Sequence, residues 1–252
     1  MNFIKKSSIY SLLSLIFCVI LSLCREREEI ILNMDTKIFL LPIKSFEWTA
    51  NDKNLLQHLS YERQKKINKF YFSSDKRHSL YAALLARMEI SSTLNQPVSN
   101  LSFNIDKNCK PYLKNVENFH FNISHTKGAI LLGLSSTPIG VDIELNYNPA
   151  FDIMPNYFHE DEVHYVTAGS SEKARSNLFF NVWTKKEAFT KYTGNGLNDN
   201  LKEINTQSIA LQPDFATWSH ESFICSVYTK TPIKEKPTII TETDIANFFR
   251  TL

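Results

Sequence analysis

The stretch Ile139-Gly140-Val141-Asp142-Ile143-Glu144-Leu145, IGVDIEL, reads as a β-strand that carries two carboxylates. Strand side chains alternate between faces, so Val141, Ile143 and Leu145 point one way while Asp142 and Glu144 stand side by side on the other. Their mutual repulsion needs an answer. Solvent is one, because an antiparallel sheet often keeps a wet face. A hard cation such as Mg²⁺ is another, since it binds a few carboxylates together with the phosphates of a substrate. A third acidic group and a phosphate-binding set elsewhere in the chain would favour the cation.

Outward from this strand, the N-terminal side reads as a mixture of elements. IFLLPI at 38–43 has the form of a strand. Residues 53–72 place Leu55, Leu56, Leu59, Ile67, Phe70 and Tyr71 at helical spacing, interrupted near Ser60 by an N-cap. SSDKRHSLYAALLARMEISSTL, 73–94, is a helix with Leu80, Leu84, Met88 and Leu94 on one apolar face. LSFNIDKNCKPYL, 101–113, is a strand running into a turn, and FHFNISHTKGAILLGLSS, 119–136, is a hairpin about Thr126-Lys127-Gly128. Beyond the opening strand come mixed helix from 150 to 192, a Gly-Asn-Gly turn at 194–196, and strands near 207–211 and 222–229. The order is α+β, with a boundary near Pro138: subdomains 34–137 and 138–252.

Composition narrows the function classes. The chain has 252 residues, 43% hydrophobic and 12% aromatic, enough for one large or two small domains with a sizeable core. Lys+Arg 28 against Asp+Glu 26 leaves a net charge of +2, so no global basic field marks a nucleic-acid binder. Cys18, Cys24, Cys109 and Cys225 show no CxxC and no disulfide or zinc spacing, which fits a reducing, cytoplasmic compartment. Residues 1–33 are a separate matter. Lys5-Lys6 followed by an apolar run at 7–23 has the form of a signal peptide or membrane anchor. Leu23 before Cys24 is not the small residue a cleavage site prefers, and MDTKIFLLPI from Met34 reads as an ordinary start. The expectation is a leader or non-native extension over 1–33, with translation beginning at Met34.

The third carboxylate lies in FNVWTKKEAFTK, 180–191, where Trp183, Glu187 and Lys191 stand four apart on one helix face. Alone, Glu187 and Lys191 are equally an exposed ion pair beside a packed Trp. With Asp142 and Glu144, Glu187 would complete an oxygen-ligand set for Mg²⁺, and Lys191 would be placed to hold a metal-bound phosphate. Arg63 and Lys66, three apart on a presumed helix, could grip one dianionic phosphate, or form a solvated basic face within ERQKK. On local grounds His125 is a hydrogen-bond donor beside a hairpin and Lys110 a turn residue.

Taken in series, these segments resemble one family. IGVDIEL, then WTKKEAFTK and GNGL at 194–197, with FNISHTKG, NCKPYL and LSYERQKKINKFYFSSDKRHSL before them, are similar to the 4'-phosphopantetheinyl transferases of the surfactin-synthetase-activating type. The similarity runs from about Ser60 to Leu197. It implies two similar α/β subdomains in pseudo-twofold arrangement. The enzyme would transfer 4'-phosphopantetheine from coenzyme A to a serine of an apo acyl or peptidyl carrier protein, releasing 3',5'-ADP with Mg²⁺ as cofactor. The resemblance also implies residue roles. Asp142, Glu144 and Glu187 would bind Mg²⁺; Arg63 and Lys66 would meet the 3'-phosphate, with Ser79 beside them. Lys110 and Pro111 would border the adenine, Ser124 and His125 contact phosphates, and Lys191 hold the pyrophosphate. Glu187, Lys191 and His125 are the catalytic candidates, with Glu187 as the base, directly or through water. Cys109 stands where the family usually has Gly, and His78 where Arg is common. The protein is expected to be a cytoplasmic monomer without nucleic-acid partners, touching membrane only if the leader is real. Two rival readings are a non-catalytic membrane-anchored binding module and a Mg²⁺-dependent phosphohydrolase that uses water as nucleophile.

Overall fold

A computed structural model describes residues 25–108, 110–194 and 200–252. The readings given above for the leader segment 1–24, for Cys109 and for residues 195–197 of the GNGL turn lie outside the described residues. The chain divides into two units, Met1–Met34 and Asp35–Leu252. In the first, residues 25–32 are helical (α1). Among the described residues no helix is long and apolar enough to cross a membrane.

The second unit is α+β, and two sheets carry it. β1 (Lys37–Pro42), β4 (His120–Thr126), β5 (Ala129–Ser135) and β9 (Thr238–Ile239) form the first in the order β4-β5-β1-β9, antiparallel except for the short β1–β9 pairing. β6 (Ile139–Leu145), β7 (Phe215–His220) and β8 (Phe223–Thr229) form the second, antiparallel, in the order β6-β8-β7. A separate hairpin pairs β2 (Phe103–Ile105) with β3 (Pro111–Leu113). The helices are α2 (Ala50–Leu56), α3 (Tyr61–Asn68), α4 (Ser73–Thr93), α5 (Met154–Tyr157), α6 (Glu160–Thr167), α7 (Glu172–Thr193) and α8 (Glu242–Arg250).

Local chemistry explains most boundaries. The expected break at Ser60 is present: its hydroxyl accepts from the Arg63 amide at 3.3 Å, capping α3 and ending the run that α2 began. Ser171 caps α7 through the Ala174 amide, and Gly194, at φ +76°, closes it in the left-handed conformation that glycine tolerates without strain. The expected hairpin forms, with Thr126 paired to Ala129 across Lys127-Gly128. The strand expected at 207–211 does not. Asn205 turns the chain there by accepting from the Gln207 amide at 2.9 Å, and Ile209 is left 89% exposed. The strand is instead β7, whose FATWSH pairs with β8.

The two sheets pack face to face. Ile38, Leu40, Ala129 and Leu131 from the first meet Ile139, Val141, Ile143, Phe223, Cys225 and Val227 from the second. β5 is buried along its whole length because α4 covers its other side. α7 covers the second sheet likewise, so each half is a largely antiparallel sheet under one long helix. The tail returns to the first half, where β9 extends its sheet and α8 packs on α4. A buried ionic knot fastens that return. Arg77 of α4 donates to Asp52 at 2.9 Å, to the Glu47 carbonyl and to Glu242 of α8, while the Tyr81 hydroxyl donates to Asp52.

The contact that fixes the second half is at Gly140. A Cβ added there would lie 1.9 Å from the Ala188 carbonyl oxygen and 2.5 Å from the Tyr192 amide nitrogen, both backbone atoms of α7. Helix and strand therefore touch main chain to main chain, which only glycine permits. Gly140→Ala is expected to cost about 3 kcal/mol or more in urea unfolding, the upper range for overpacking, because neither atom belongs to a flexible side chain. A loss under about 1 kcal/mol would show that the helix can stand off the strand.

Candidate active site

Gly140, Asp142 and Glu144 share the face of β6 that meets α7, and β4 runs alongside. Three alternate residues of β4 reach across to β6. Asn122 accepts from the Val141 amide at 2.9 Å, Ser124 donates to Asp142 Oδ1 at 2.8 Å, and Thr126 donates to Glu144 at 3.2 Å. From α7, Lys191 Nζ reaches the same place and donates to Asp142 Oδ1 at 2.6 Å and to Ser124 Oγ at 2.9 Å. Asp142 is 3% exposed, so the strand's acidic face is dry here rather than wet. Asn122 and Thr126 were not singled out from the sequence. The signal was present in FNISHT, whose alternate polar residues match the alternate carboxylates of IGVDIEL.

The seam is electrostatically unbalanced. Burial and then the neighbouring Asp142 push the Glu144 carboxyl up to about 7. Glu187 is raised by burial and by Asp142 as well, against the opposing pull of Lys191. Asp142 Oδ2 is buried without a hydrogen-bond partner among the described residues. One ammonium thus serves a neighbourhood holding three carboxylates, and an unsatisfied buried carboxylate oxygen calls for a further cation. Oxygen donors of this kind fit a hard divalent ion, which Asp142 Oδ2, Glu144 and Glu187 are the residues that could hold. Among the described residues no three acidic, His or Cys side chains converge as a ready-made metal cluster.

A cavity of about 780 Å³ adjoins the seam, lined by Arg63, Lys66, His78, Ser79, His125 and Thr126 among others. Thr126 belongs to both, since it also bonds Glu144. His125 is open to solvent at the wall, yet the concave surroundings strip enough water from its ring to lower its pKa, and the charge of Lys191 lowers it further. The neighbouring His78 is fully engaged. Its Nδ1 donates to the Ser74 carbonyl at 2.8 Å, which leaves Nε2 to accept from the Gly128 amide at 3.2 Å. His78 therefore pins the β4–β5 turn to α4 and offers the cavity no donor.

The structure brings Arg63, Lys66, Ser79 and His125 to the cavity, and Ser124, Asp142 and Lys191 to direct contact. Glu144 and Glu187 lie close enough to feel each other's charge. Lys110 goes elsewhere. Its ammonium donates to the carbonyls of Ile139, at 3.1 Å, and Lys191, at 2.7 Å, tying the β2–β3 hairpin to both β6 and the end of α7. Pro111 opens β3 on the surface. One buried pair had no sequence signal. Lys186, beside Glu187, lies wholly buried and donates to Glu162 at 2.7 Å and to the Leu201 carbonyl at 2.6 Å, while Glu162 also accepts from Thr206.

Two family models match the chain in tandem: 4'-phosphopantetheinyl transferase, N-terminal, over residues 46–136, and the 4'-phosphopantetheinyl transferase superfamily over 138–237. The chain belongs to the 4'-phosphopantetheinyl transferase superfamily. Among its relatives, 4'-phosphopantetheinyl transferase psf-1 of Bacillus pumilus is 28% identical over 174 residues, 68% of this chain and 74% of the relative. A 4'-phosphopantetheinyl transferase of Bacillus subtilis is 29% identical over 165 residues, 66% of this chain and 72% of the relative. The mouse L-aminoadipate-semialdehyde dehydrogenase-phosphopantetheinyl transferase is 26% identical over 172 residues, 63% and 56% of the two chains.

The two α7 lysines separate structural from site electrostatics. Lys186→Met is expected to cost about 3–5 kcal/mol, because it strands the buried Glu162. Lys191→Met should cost less, about 1–2 kcal/mol, since the Lys191 side chain is 29% exposed and Asp142 keeps its bond from Ser124. Urea unfolding of both variants measures the difference; equal losses would contradict it.

Proposed function

We propose that this protein transfers 4'-phosphopantetheine from coenzyme A to a serine of an apo acyl or peptidyl carrier protein, releasing 3',5'-ADP. The observation that carries this reading is the buried Asp142 carboxylate, half held by Lys191 and Ser124 and half unsatisfied, beside a cavity walled by Arg63, Lys66 and His125. Cations along the wall and carboxylates at the floor suit a molecule that brings several phosphates and needs one of them attacked. In this reading Asp142, Glu144 and Glu187 hold Mg²⁺, which when bound supplies charge neutralisation at the pyrophosphate.

The chain's own residues do the rest. Arg63 and Lys66 bind the 3'-phosphate, and His125 and Ser124 orient the pyrophosphate. The carrier serine oxygen forms a bond to the β-phosphorus as the bond from that phosphorus to the bridging oxygen breaks, so the electron pair leaves with 3',5'-ADP. Lys191 stabilises that departing charge. Glu187 takes the serine proton, directly or through a water, and burial followed by the charge of Asp142 raises its pKa, which strengthens it as a base. Lys110 acts at one remove by holding the end of α7, and Ser79 by accepting from Arg63 through its carbonyl at 3.0 Å. In this reading subdomain 34–137 supplies the lining of the cavity, and subdomain 138–252, which lends its tail to the first, supplies the carboxylates and Lys191. We take the enzyme to work as a cytoplasmic monomer, in keeping with the free, buried Cys225.

Incubation with labelled coenzyme A, Mg²⁺ and a panel of apo carrier proteins tests the function. The expected result is label on a carrier serine and 3',5'-ADP released only when a carrier is present. Release without carrier would identify a phosphohydrolase, and loss of Mg²⁺-dependent coenzyme A binding a non-catalytic module.

The carboxylate seam also makes stability depend on pH. Glu144 titrates near 7 when folded, against 4.5 ordinarily. Between those values the folded chain holds a proton that the unfolded chain has lost, so without divalent cations stability should fall as pH rises and level off above 7. Glu144→Gln should flatten the fall. Mg²⁺ binds the ionised form, so it should raise the melting temperature more at about pH 8 than at about pH 5.5. Equal Mg²⁺ shifts at both pH values would contradict the assignment.

A further inference from the structure

α7 carries two lysines that end on carboxylates, and they are held differently. Lys186 is wholly buried, and the three donors of its ammonium are matched by Glu162 and by the carbonyls of Leu201 and Ile204. Lys191, in the last turn of the helix, meets two acceptors among the described residues, Asp142 Oδ1 and Ser124 Oγ. Its side chain is partly exposed, whereas that of Asp142 is buried. One ammonium is locked into the scaffold; the other is held on one side and open on the other.

That asymmetry decides which partner can leave. Asp142 is fixed, because its strand is pressed against the α7 backbone at Gly140, while Lys191 hangs on a flexible four-carbon stem. The carboxylate has one oxygen on Lys191 and Ser124, and the other, Oδ2, buried without a partner among the described residues. A divalent cation that joined Oδ2 while Lys191 stayed on Oδ1 would stand a carboxylate's width from another positive charge, with little water between to screen the two. Lys191 therefore stands in for such an ion and opposes its entry. A second anion lies within easy reach of the exchange: Thr126, on the same face of β4 as Ser124, lines the cavity in which phosphates are read to bind.

We propose that Lys191 is an exchangeable counter-ion: it competes with a divalent cation for Asp142, and a phosphate that draws it off the carboxylate opens the seam to the ion. This rests on the Mg²⁺ and coenzyme A reading of the site. Lys191 then has two positions, on Asp142 or on the phosphate, and both ligands favour the second. Two ligands that favour one position of a shared element each bind better when the other is present. Mg²⁺ alone is held weakly, and the seam takes it up together with the substrate.

Calorimetric titration of the full chain with Mg²⁺ alone, with coenzyme A alone, and with each in the presence of the other tests the exchange apart from catalysis. In the wild type Mg²⁺ should tighten coenzyme A about tenfold or more, and coenzyme A should tighten Mg²⁺ by the same factor. Lys191→Met removes the competitor, so it should strengthen binding of Mg²⁺ alone about tenfold while weakening coenzyme A. Lys191→Gln, which keeps a donor for Asp142 without the charge, should move both in the same directions. A lysine that only held phosphate would leave Mg²⁺ alone unchanged, and one that only supported the fold would weaken both ligands. Lys66→Met, an equal loss of charge on the cavity wall, should weaken coenzyme A and leave Mg²⁺ alone within about twofold at physiological salt. Unchanged or weaker Mg²⁺ binding in both Lys191 variants, an equal gain in Lys66→Met, or wild-type ligands that bind no better together than apart would overturn the proposal and leave the transferase reading standing. A chain that shows the exchange yet transfers nothing to any carrier would overturn the transferase reading alone.

Discussion

The main-chain contact of α7 with β6 at Gly140 is the constraint on which the rest of this structure depends. It sets the distance between a helix and a strand at a value no side chain permits. Asp142 and Glu144 follow Gly140 on the same strand face, and Glu187 and Lys191 flank the touching residues Ala188 and Tyr192 on the helix. Once the backbones meet, Lys191 is within hydrogen-bonding reach of Asp142. Lys110 reinforces the contact from outside by donating to the carbonyls of Ile139 and Lys191, one on each partner. The opposite face of β6 is held as closely, because Gly133 of β5 leaves no room beyond the side chains of Ile139 and Val141.

A site built this way concentrates charge where the protein cannot neutralise it. Buried charges elsewhere find opposite partners: Arg77 has Asp52 and Glu242, although its Nε has no hydrogen-bond partner among the described residues, and Lys186 has Glu162. The seam is short of cations, while the cavity beside it carries Arg63 and Lys66 along its wall. A ligand that presents phosphates and brings a divalent cation answers both at once. Complete pairs mark the scaffold; incomplete ones mark where a ligand belongs.

Much of this was legible in the sequence because it rested on local patterns. Alternation gave β6 and the shared face of its carboxylates, four-residue spacing gave the face of α7, and Ser60 announced the break before α3. Elements defined by distant partners were not legible. Ile209 and Leu211 are apolar enough for a strand, but the Asn205 turn removes them, and the true strand FATWSH mixes polar and apolar residues because only β8 decides its place. The destination of Lys110 required three segments to meet. Lys186 and Glu162 read as exposed helix charges, since nothing local says that a charged pair will be wholly buried.

The decisive question is whether Glu187 takes part in chemistry rather than merely facing Lys191. Single-turnover transfer from coenzyme A to an apo carrier protein, measured for Glu187→Gln beside a coenzyme A titration, separates the two. If Glu187 is the base, the rate falls by a factor of about 10² or more, the range for removal of a general base, with coenzyme A affinity in Mg²⁺ reduced far less because Asp142 and Glu144 remain. A near-normal rate would contradict it and return Glu187 to the role of an ordinary helix-face charge.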